Sequence, residues 1–290
     1  MLAIPIRNSA NLWPHYFKDS WLEKYCKTPD IHLVHCRLKL RLANAIFPKN
    51  NTFYLTILRH PVPQWASIFT YFNKKSLTNK TTSLFDSMNN YMDFYENYKK
   101  KILGAWGRNP NFYDLGYDES TLTDNQSIST LIQTIDDSFD FVMITELWEE
   151  SVLLLKEKMC MSIDEIIMFE VNSRIVKSPE LPESLKDRIL EFNNADHQLY
   201  DYFYQKLKKE ALQLDRSDFD NYRKRKKFWE DVCIGGRTKK VSYRTKKYLG
   251  YKLKSNIDDK YRIQCEQMVM SEIEIFEMYK HQIKNLTKHL

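Results

Sequence analysis

The chain has 290 residues, of which 43% are hydrophobic, 14% aromatic and 28% charged, and its formal net charge is +6. This length supports one large domain or two small ones, and the aromatic content excludes a disordered chain. The charge suits an anionic partner such as a nucleotide, an acidic glycan or a membrane surface, but it is too small to indicate nucleic acid. The sequence contains no run of 18 apolar residues, and the apolar part of its N-terminus is short, so neither a membrane span nor a signal peptide is predicted.

Predicted strands alternate with predicted helices along the first 160 residues. The strands are predicted at 31–35, 53–58 and 139–144, and the helices at 38–47, 62–72, 84–104, 127–135 and 147–159. The strand at 53–58 is apolar enough to be buried on both faces, and a polar loop is predicted at 118–125. This alternation predicts an α/β fold with a parallel sheet and helices on both of its faces.

The C-terminal part of the chain is predicted to be largely helical after Pro179. Residues 185–214 form either one long helix or two. No linker rich in proline, glycine or serine divides the sequence, so we predict a single domain over residues 1–290.

Basic residues cluster in the last third of the chain. The two groups are Arg223, Lys224, Arg225, Lys226 and Lys227, and then Lys239, Lys240, Arg244, Lys246 and Lys247. Two interpretations stand at this point: a solvated helix face followed by a loop, or a patch that binds a polyanion.

The most informative motif follows the predicted strand at 53–58. Arg59 stands at the carboxyl end of that strand, and Ser67 follows eight residues later in the next helix. Ligands of open α/β sheets bind at the carboxyl ends of the strands, and the planar guanidinium of arginine matches a phosphate. The alternative is an arginine that caps a neighbouring helix and a serine that faces solvent.

Two further candidates lie near the end of the first predicted strand. An imidazole such as that of His35 has a pKa near working pH and can deprotonate a hydroxyl, although a lone histidine beside a strand is often structural. Arg37 lies on the same face if the strand continues, where it can hold a substrate or form a structural salt bridge. No group of His, Asp or Glu has metal-ligand spacing, and none of the five cysteines forms a CxxC pair, so no metal site is predicted.

The arrangement of Arg59, Pro61 and Ser67 resembles the element that binds the 3′-phosphate of 3′-phosphoadenosine 5′-phosphosulfate in sulfotransferases. From about residue 2 to about residue 280, the chain resembles the galactosylceramide sulfotransferase and galactose-3-O-sulfotransferase family. The other blocks that carry the resemblance, in the same order, are His35-Cys36-Arg37, Asn111 to Asp118, Phe141 to Leu155, Asn172-Ser173-Arg174, Ala195 to Tyr200 and Leu249 to Leu253.

The resemblance implies a P-loop-like sulfotransferase fold on the lumenal side of the Golgi membrane. It implies transfer of a sulfonate from 3′-phosphoadenosine 5′-phosphosulfate to the 3-hydroxyl of galactose on glycolipids such as galactosylceramide or on glycans. Arg59 and Ser67 would then bind the cofactor's 3′-phosphate and His35 would be the catalytic base. Arg37 and Arg174 would contact the substrate.

Two cysteines fall in the part of the chain that matches the C-terminal region of the family. In an oxidising lumen, Cys233 and Cys265 can form a disulfide, whereas in the cytosol they would stay reduced.

One element of the family is missing from the sequence. The family begins its catalytic domain with a Lys-Thr and Gly-Ser-Ser-Thr-like loop that holds the 5′-phosphosulfate, but no lysine precedes Lys18 and no glycine precedes Gly104. We therefore expect the chain to start after that loop, to transfer little sulfonate by itself, and to expose an apolar edge or groove beside the nucleotide site. A non-catalytic truncated relative and a basic glycan-binding protein remain as alternatives.

Overall fold

The computed structural model describes residues 2–3, 11–16, 31–32, 35–72, 83–99, 107–170, 179–241, 247–271, 274–275, 277–279 and 281. The strands are β1 (Leu2–Ala3), β2 (Asn11–Tyr16), β3 (Ile31–His32), β4 (His35–Arg37), β5 (Leu55–Leu58), β6 (Phe141–Ile144), β7 (Ile234–Val241) and β8 (Lys247–Leu253). The helices are α1 (Leu40–Ile46), α2 (Pro61–Tyr71), α3 (Leu84–Asp93), α4 (Tyr95–Lys99), α5 (Pro110–Asp114), α6 (Asn125–Ser138), α7 (Trp148–Lys158), α8 (Glu183–Phe192), α9 (Asn194–Glu210), α10 (Arg216–Cys233) and α11 (Asp259–Met268).

The fold is mixed α/β and mostly helical, with strands that pair in twos. Strands β5 and β6 are parallel, with Leu55 opposite Phe141 and Leu58 opposite Ile144, which confirms the predicted parallel pairing. The pairs β1–β3 and β2–β4 are also parallel, and β7–β8 is antiparallel. The predicted strand at 31–35 is therefore divided between two sheets, because β3 pairs with β1 and β4 pairs with β2. Within the described ranges, no helix combines the length and hydropathy needed to cross a bilayer.

The two strands of the β5–β6 pair differ in burial. All four residues of β6 are buried, whereas β5 exposes Leu55 (42%) and Ile57 (46%) on one face. The prediction that 53–58 is buried on both faces is therefore wrong, and no described helix covers the face of β5 that carries Leu55 and Ile57. The two side chains instead form an exposed apolar surface next to Arg59.

The main core packs β6 against α6, α7 and α9. Ile144, Leu154 and Leu199 have no exposed surface, and burying each such side chain stabilises the fold by about 1.5–3 kcal/mol. A buried serine of α7 fixes the helix to the strand: the Ser151 Oγ accepts the Ile144 N–H at 3.0 Å and also contacts the Ile144 carbonyl at 3.2 Å. The carboxyl end of β6 is thereby held in register with α7.

A second core joins α2, α3 and α8 around Trp65, Phe69 and Tyr91. The Trp65 indole donates to the Gly107 carbonyl at 2.8 Å. A Cβ at Gly107 would lie 2.0 Å from the Tyr95 ring, so only glycine fits this contact. This core anchors α2, the helix that follows Arg59.

Two predicted helical segments each form two helices in the structure, which for 185–214 is one of the two predicted alternatives. The predicted helix at 84–104 is broken at Phe94, between α3 and α4, and residues 100–106 lie outside the described part of the chain. The segment 185–214 forms two helices that meet at Asn193, whose side-chain amide donates to the Ile189 carbonyl at 2.8 Å.

The C-terminal region contains a hairpin that the sequence analysis missed. Strands β7 and β8 pair with Arg237 opposite Tyr251, and the Arg237 guanidinium lies 3.9 Å from the centre of the Tyr251 ring. Cys233, at the end of α10, forms a disulfide with Cys265 of α11, and both are fully buried. The prediction of a largely helical C-terminal part did not include this hairpin, because long basic side chains occupy exposed strand positions.

Candidate functional site

The carboxyl ends of β5 and β6 lie side by side because the two strands are parallel. Arg59 follows β5 directly and is exposed, and no ion pair joins its guanidinium to another described residue. The 3-10 turn Thr145–Leu147 follows β6. The strand edge therefore presents an arginine whose charge is available to an anion.

The turn between β5 and α2 is capped by His60. Its Nδ1 accepts the Val62 N–H at 3.3 Å, and Pro61 occupies the first helical position, which needs no donor. Burial lowers the pKa of the His60 imidazole, which favours the neutral ring. Because Nδ1 accepts a hydrogen bond, the proton of the neutral ring resides on Nε2.

Glu146 connects the two strand ends. Its Oε1 accepts the backbone N–H of His60 at 3.0 Å, and its Oε2 accepts the Thr145 hydroxyl at 2.8 Å. Tyr200 of α9 lies near this carboxylate, and burial together with the neighbouring carboxylate raises the pKa of Tyr200. The hydrogen bonds of the carboxylate thus join the β5–α2 turn to the turn that follows β6.

Helix α9 adds further polar groups to this edge. The His60 and Tyr200 rings meet edge to face with centroids 5.0 Å apart, and the His197 ring lies 6.5 Å from the His60 ring. The His197 Nε2 is 3.2 Å from an Asp201 carboxylate oxygen. We call Arg59, His60, Glu146, His197 and Tyr200 the strand-end cluster.

Helix α9 is held in place by a reciprocal clamp with α5. The buried Asp196 carboxylate accepts the backbone N–H groups of Asn111 at 2.8 Å and Phe112 at 3.0 Å. In return, the Asn109 side chain accepts the Asp196 N–H at 3.1 Å, with Asn109 in a left-handed conformation that asparagine tolerates. Desolvation raises the pKa of Asp196 to about 7.

The structure gives the Arg37 guanidinium structural partners. Arg37 is 4% exposed and lies between the rings of Tyr16 and Tyr113, with its carbon 4.3 Å and 3.5 Å from their centres. Its Nε donates to the Tyr113 carbonyl and its Nη2 to Asp118, both at 2.9 Å. These contacts join β4 to α5 and favour the structural salt bridge over a contact with substrate. The substrate contact of Arg37 stays a prediction.

The structure describes less of the other three residues that were chosen from the sequence, His35, Arg174 and Ser67. His35 lies in β4, two residues before Arg37, and its side chain is outside the described part of the structure. Arg174 is also outside the described residues. Ser67 lies in α2, six residues after Pro61 and therefore about 9 Å along the helix axis, so its joint contact with Arg59 stays a prediction.

Sequence reasoning missed His60, Glu146, His197 and Tyr200. The signal for Glu146 was present, since it follows a buried strand at the carboxyl end, as Arg59 does. His60 stands next to Arg59 in the chain but was not chosen as a site residue, and His197 and Tyr200 join the site through tertiary contacts that have no local pattern. Among the described residues, no group of three or more His, Cys, Asp or Glu side chains is arranged to hold a metal ion.

Acidic partners occupy much of the first basic group. Arg223 pairs with Glu149 at 2.6 Å, Arg225 with Asp164 at 2.7 Å and Lys227 with Asp231 at 2.7 Å. This neutralisation favours a solvated helix face over a polyanion patch at α10.

An exposed arginine at the end of a parallel strand, beside the start of a helix, is the arrangement of an α/β protein that binds a phosphorylated ligand. The family model for galactose-3-O-sulfotransferase matches residues 1–283, and the chain belongs to this family, whose members are sulfotransferases that transfer sulfate to galactose.

Individual relatives agree with this assignment. Human galactose-3-O-sulfotransferase 2 is 25% identical, over 94% of this chain and 74% of its own length. Human galactosylceramide sulfotransferase is 26% identical, over 90% of this chain and 67% of its own length. The mouse galactosylceramide sulfotransferase is also 26% identical, over 94% and 69% of the two lengths. No solved structure matches the chain.

Proposed function

We propose that this chain transfers a sulfonate group from 3′-phosphoadenosine 5′-phosphosulfate to the 3-hydroxyl of galactose on a glycolipid such as galactosylceramide or on a glycan. The observation that carries the proposal is the exposed Arg59 at the carboxyl end of β5, in a chain whose family transfers sulfate to galactose. Residues 1–290 form one sulfotransferase domain of P-loop-like type in this proposal.

Arg59 and Ser67 bind the 3′-phosphate of the cofactor in this scheme. The guanidinium donates two parallel hydrogen bonds to the phosphate oxygens, and the Ser67 hydroxyl donates a third. Arg59 is suited to this role because its charge is exposed and has no ion pair with another described residue.

His35 is the proposed base. The galactose 3-hydroxyl oxygen attacks sulfur, the bond from sulfur to the 5′-phosphate oxygen breaks, and the hydroxyl proton passes to the His35 imidazole. The products are the galactose 3-sulfate and 3′-phosphoadenosine 5′-phosphate. Arg174 remains a proposed substrate contact, whereas we assign Arg37 chiefly to holding β4 against α5.

We place the protein on the lumenal side of the Golgi membrane. The buried disulfide between Cys233 and Cys265 supports an oxidising compartment, since cytosolic proteins rarely keep such bonds. The alternative of a basic glycan-binding protein is weakened by the three acidic partners of α10.

A transfer assay tests the proposal. The chain is incubated with cofactor labelled in its sulfonate sulfur, together with either galactosylceramide or its 3-deoxygalactose analogue. Because the sequence lacks the family's 5′-phosphosulfate loop, we expect only a small amount of label on galactosylceramide, still more than with the His35→Ala variant, and none on the analogue. Equal labelling of both acceptors would contradict the assignment of the 3-hydroxyl, and cofactor binding without any transfer would identify a non-catalytic relative.

A further inference from the structure

We propose that Glu146 is the residue that positions Arg59 for the 3′-phosphate of the cofactor. This inference rests on the proposed function, because it assumes that Arg59 binds that phosphate. The observation behind it is the hydrogen bond at 3.0 Å from the His60 backbone N–H to the Glu146 Oε1. His60 is the residue immediately after Arg59.

The bonded N–H belongs to the peptide group that joins Arg59 to His60. Fixing the plane of this peptide fixes the ψ angle of Arg59, because the plane contains the Arg59 carbonyl. The direction in which the Arg59 side chain leaves the backbone is set in turn. The hydrogen bond from the His60 N–H to Glu146 therefore orients the Arg59 side chain, although no contact between Glu146 and the Arg59 guanidinium is described.

The turn needs such a tie because regular pairing stops just before it. The register between β5 and β6 ends at Leu58 opposite Ile144, so Arg59 and His60 have no ladder bonds to β6. Pro61 follows and has no N–H to contribute. Within the described residues, the carboxylate of Glu146 is the group that connects this peptide to the second strand.

The Glu146 carboxylate is itself oriented by a neighbouring residue on its own turn. Its Oε2 accepts the Thr145 hydroxyl at 2.8 Å, which fixes the carboxylate to the turn after β6. The buried Tyr200 of α9 packs against the β5–α2 turn, with its ring 5.0 Å from the His60 ring. A carboxylate repels a phosphate, so Glu146 acts on the ligand through Arg59 and not by contact.

Three substitutions at this position separate positioning from charge. Glu146→Ala removes the acceptor, Glu146→Asp keeps the charge on a side chain one methylene shorter, and Glu146→Gln keeps an oxygen that can accept the His60 N–H. Glu150→Ala is the matched control, because it removes a carboxylate from the same segment and has no described bond to the turn. Titration calorimetry compares 3′-phosphoadenosine 5′-phosphate with adenosine 5′-phosphate, which lacks the 3′-phosphate.

We expect Glu146→Ala to weaken binding of the 3′-phosphorylated ligand about five- to tenfold and Glu146→Asp about threefold, since misaiming a charged donor costs part of its contribution. Glu146→Gln and Glu150→Ala should stay within about twofold of the wild type. Binding of adenosine 5′-phosphate should not change in any of them. Unchanged affinity in both Glu146→Ala and Glu146→Asp, or equal losses for the two ligands, would overturn the proposal.

A double substitution isolates the route through Arg59. In the Arg59→Ala background, Glu146→Ala should cost no further affinity, because there is no longer a side chain to aim. An additional loss there would show that Glu146 only supports the fold. If Arg59→Ala alone leaves the affinity unchanged, the assigned role of Arg59 fails and the role of Glu146 falls with it. The single Arg59→Ala variant thus distinguishes a failure of the proposed function from a failure of the positioning role of Glu146.

Discussion

The carboxylate of Asp196 in α9 accepts the backbone N–H of Asn111 in α5 at 2.8 Å, 85 positions away in the chain. This bond and its reciprocal partner from Asp196 N–H to Asn109 join the helix that carries Tyr200 to the helix that holds β4. The clamp thereby connects the strand-end cluster with the strand that contains His35.

The buried Asp196 predicts a pH-dependent stability. Its pKa is raised to about 7 in the folded protein from 3.8, so the folded state binds this proton more tightly than the unfolded state. Its contribution to the free energy of unfolding is complete below about pH 4 and is lost as the pH rises through about 7, by about 4 kcal/mol. Urea unfolding between pH 4 and 8 measures this.

The variant Asp196→Asn should remove that slope from the pH profile, although it also weakens the clamp. Asp187→Asn, at an exposed position of α8, should keep the wild-type profile. A difference between wild type and Asp196→Asn that stays constant with pH would show that Asp196 does not titrate in this range.

Arg37 should matter to stability more than to binding. Arg37→Ala removes two hydrogen bonds and the contacts with two tyrosine rings, and we expect the free energy of unfolding to fall by about 2–3 kcal/mol. Arg37→Lys should recover little of the lost free energy of unfolding, since an ammonium group cannot reproduce the planar set of N–H donors of a guanidinium. Urea unfolding measures the loss. A variant of normal stability with a raised KM for the galactose acceptor would instead support the substrate contact.

The disulfide should stabilise the C-terminal region. Reducing the bond between Cys233 and Cys265, or replacing Cys265 with alanine, should lower the free energy of unfolding by about 2–4 kcal/mol. Cys160→Ser, at an exposed free cysteine, is the control and should have no effect. Urea unfolding with and without reductant provides the measurement, and identical curves would show that the two cysteines are not paired in solution.

The proposed base can be separated from cofactor binding. His35→Ala should lower kcat by about a hundredfold or more, the usual loss when a general base is removed. The dissociation constant for 3′-phosphoadenosine 5′-phosphate should stay within about twofold. His15→Ala, at an exposed position of β2, should match the wild type. A full rate in His35→Ala would remove His35 from the mechanism.

The sequence predicted the parts of the fold that depend on local pattern. Two apolar β-rich runs identified β5 and β6 as parallel partners, and the position of Arg59 followed from the end of the first run. The hairpin of β7 and β8 escaped prediction because exposed basic residues such as Arg237 and Lys239 hide its strand signal.

Long-range hydrogen bonds account for the rest of what was missed. The bond from His60 to Glu146 and that from Asn111 to Asp196 join residues more than 80 positions apart, and no spacing rule indicates them. The sequence left one helix or two open over 185–214, because the break depends on a long-range contact. Asn193 ends α8 because its side chain bonds both to Ile189 and to Asn109, a tertiary contact.

Arg59 is the residue that we propose to bind the 3′-phosphate of the cofactor. Titration calorimetry of wild type and Arg59→Ala, each with 3′-phosphoadenosine 5′-phosphate and with adenosine 5′-phosphate, gives a four-way comparison. We predict that Arg59→Ala weakens the 3′-phosphorylated ligand about ten- to a hundredfold, as expected for a charge-assisted contact, and that Ser67→Ala costs less. Adenosine 5′-phosphate should bind both proteins almost equally. Equal losses for the two ligands would contradict the account, because Arg59 would then only support the fold.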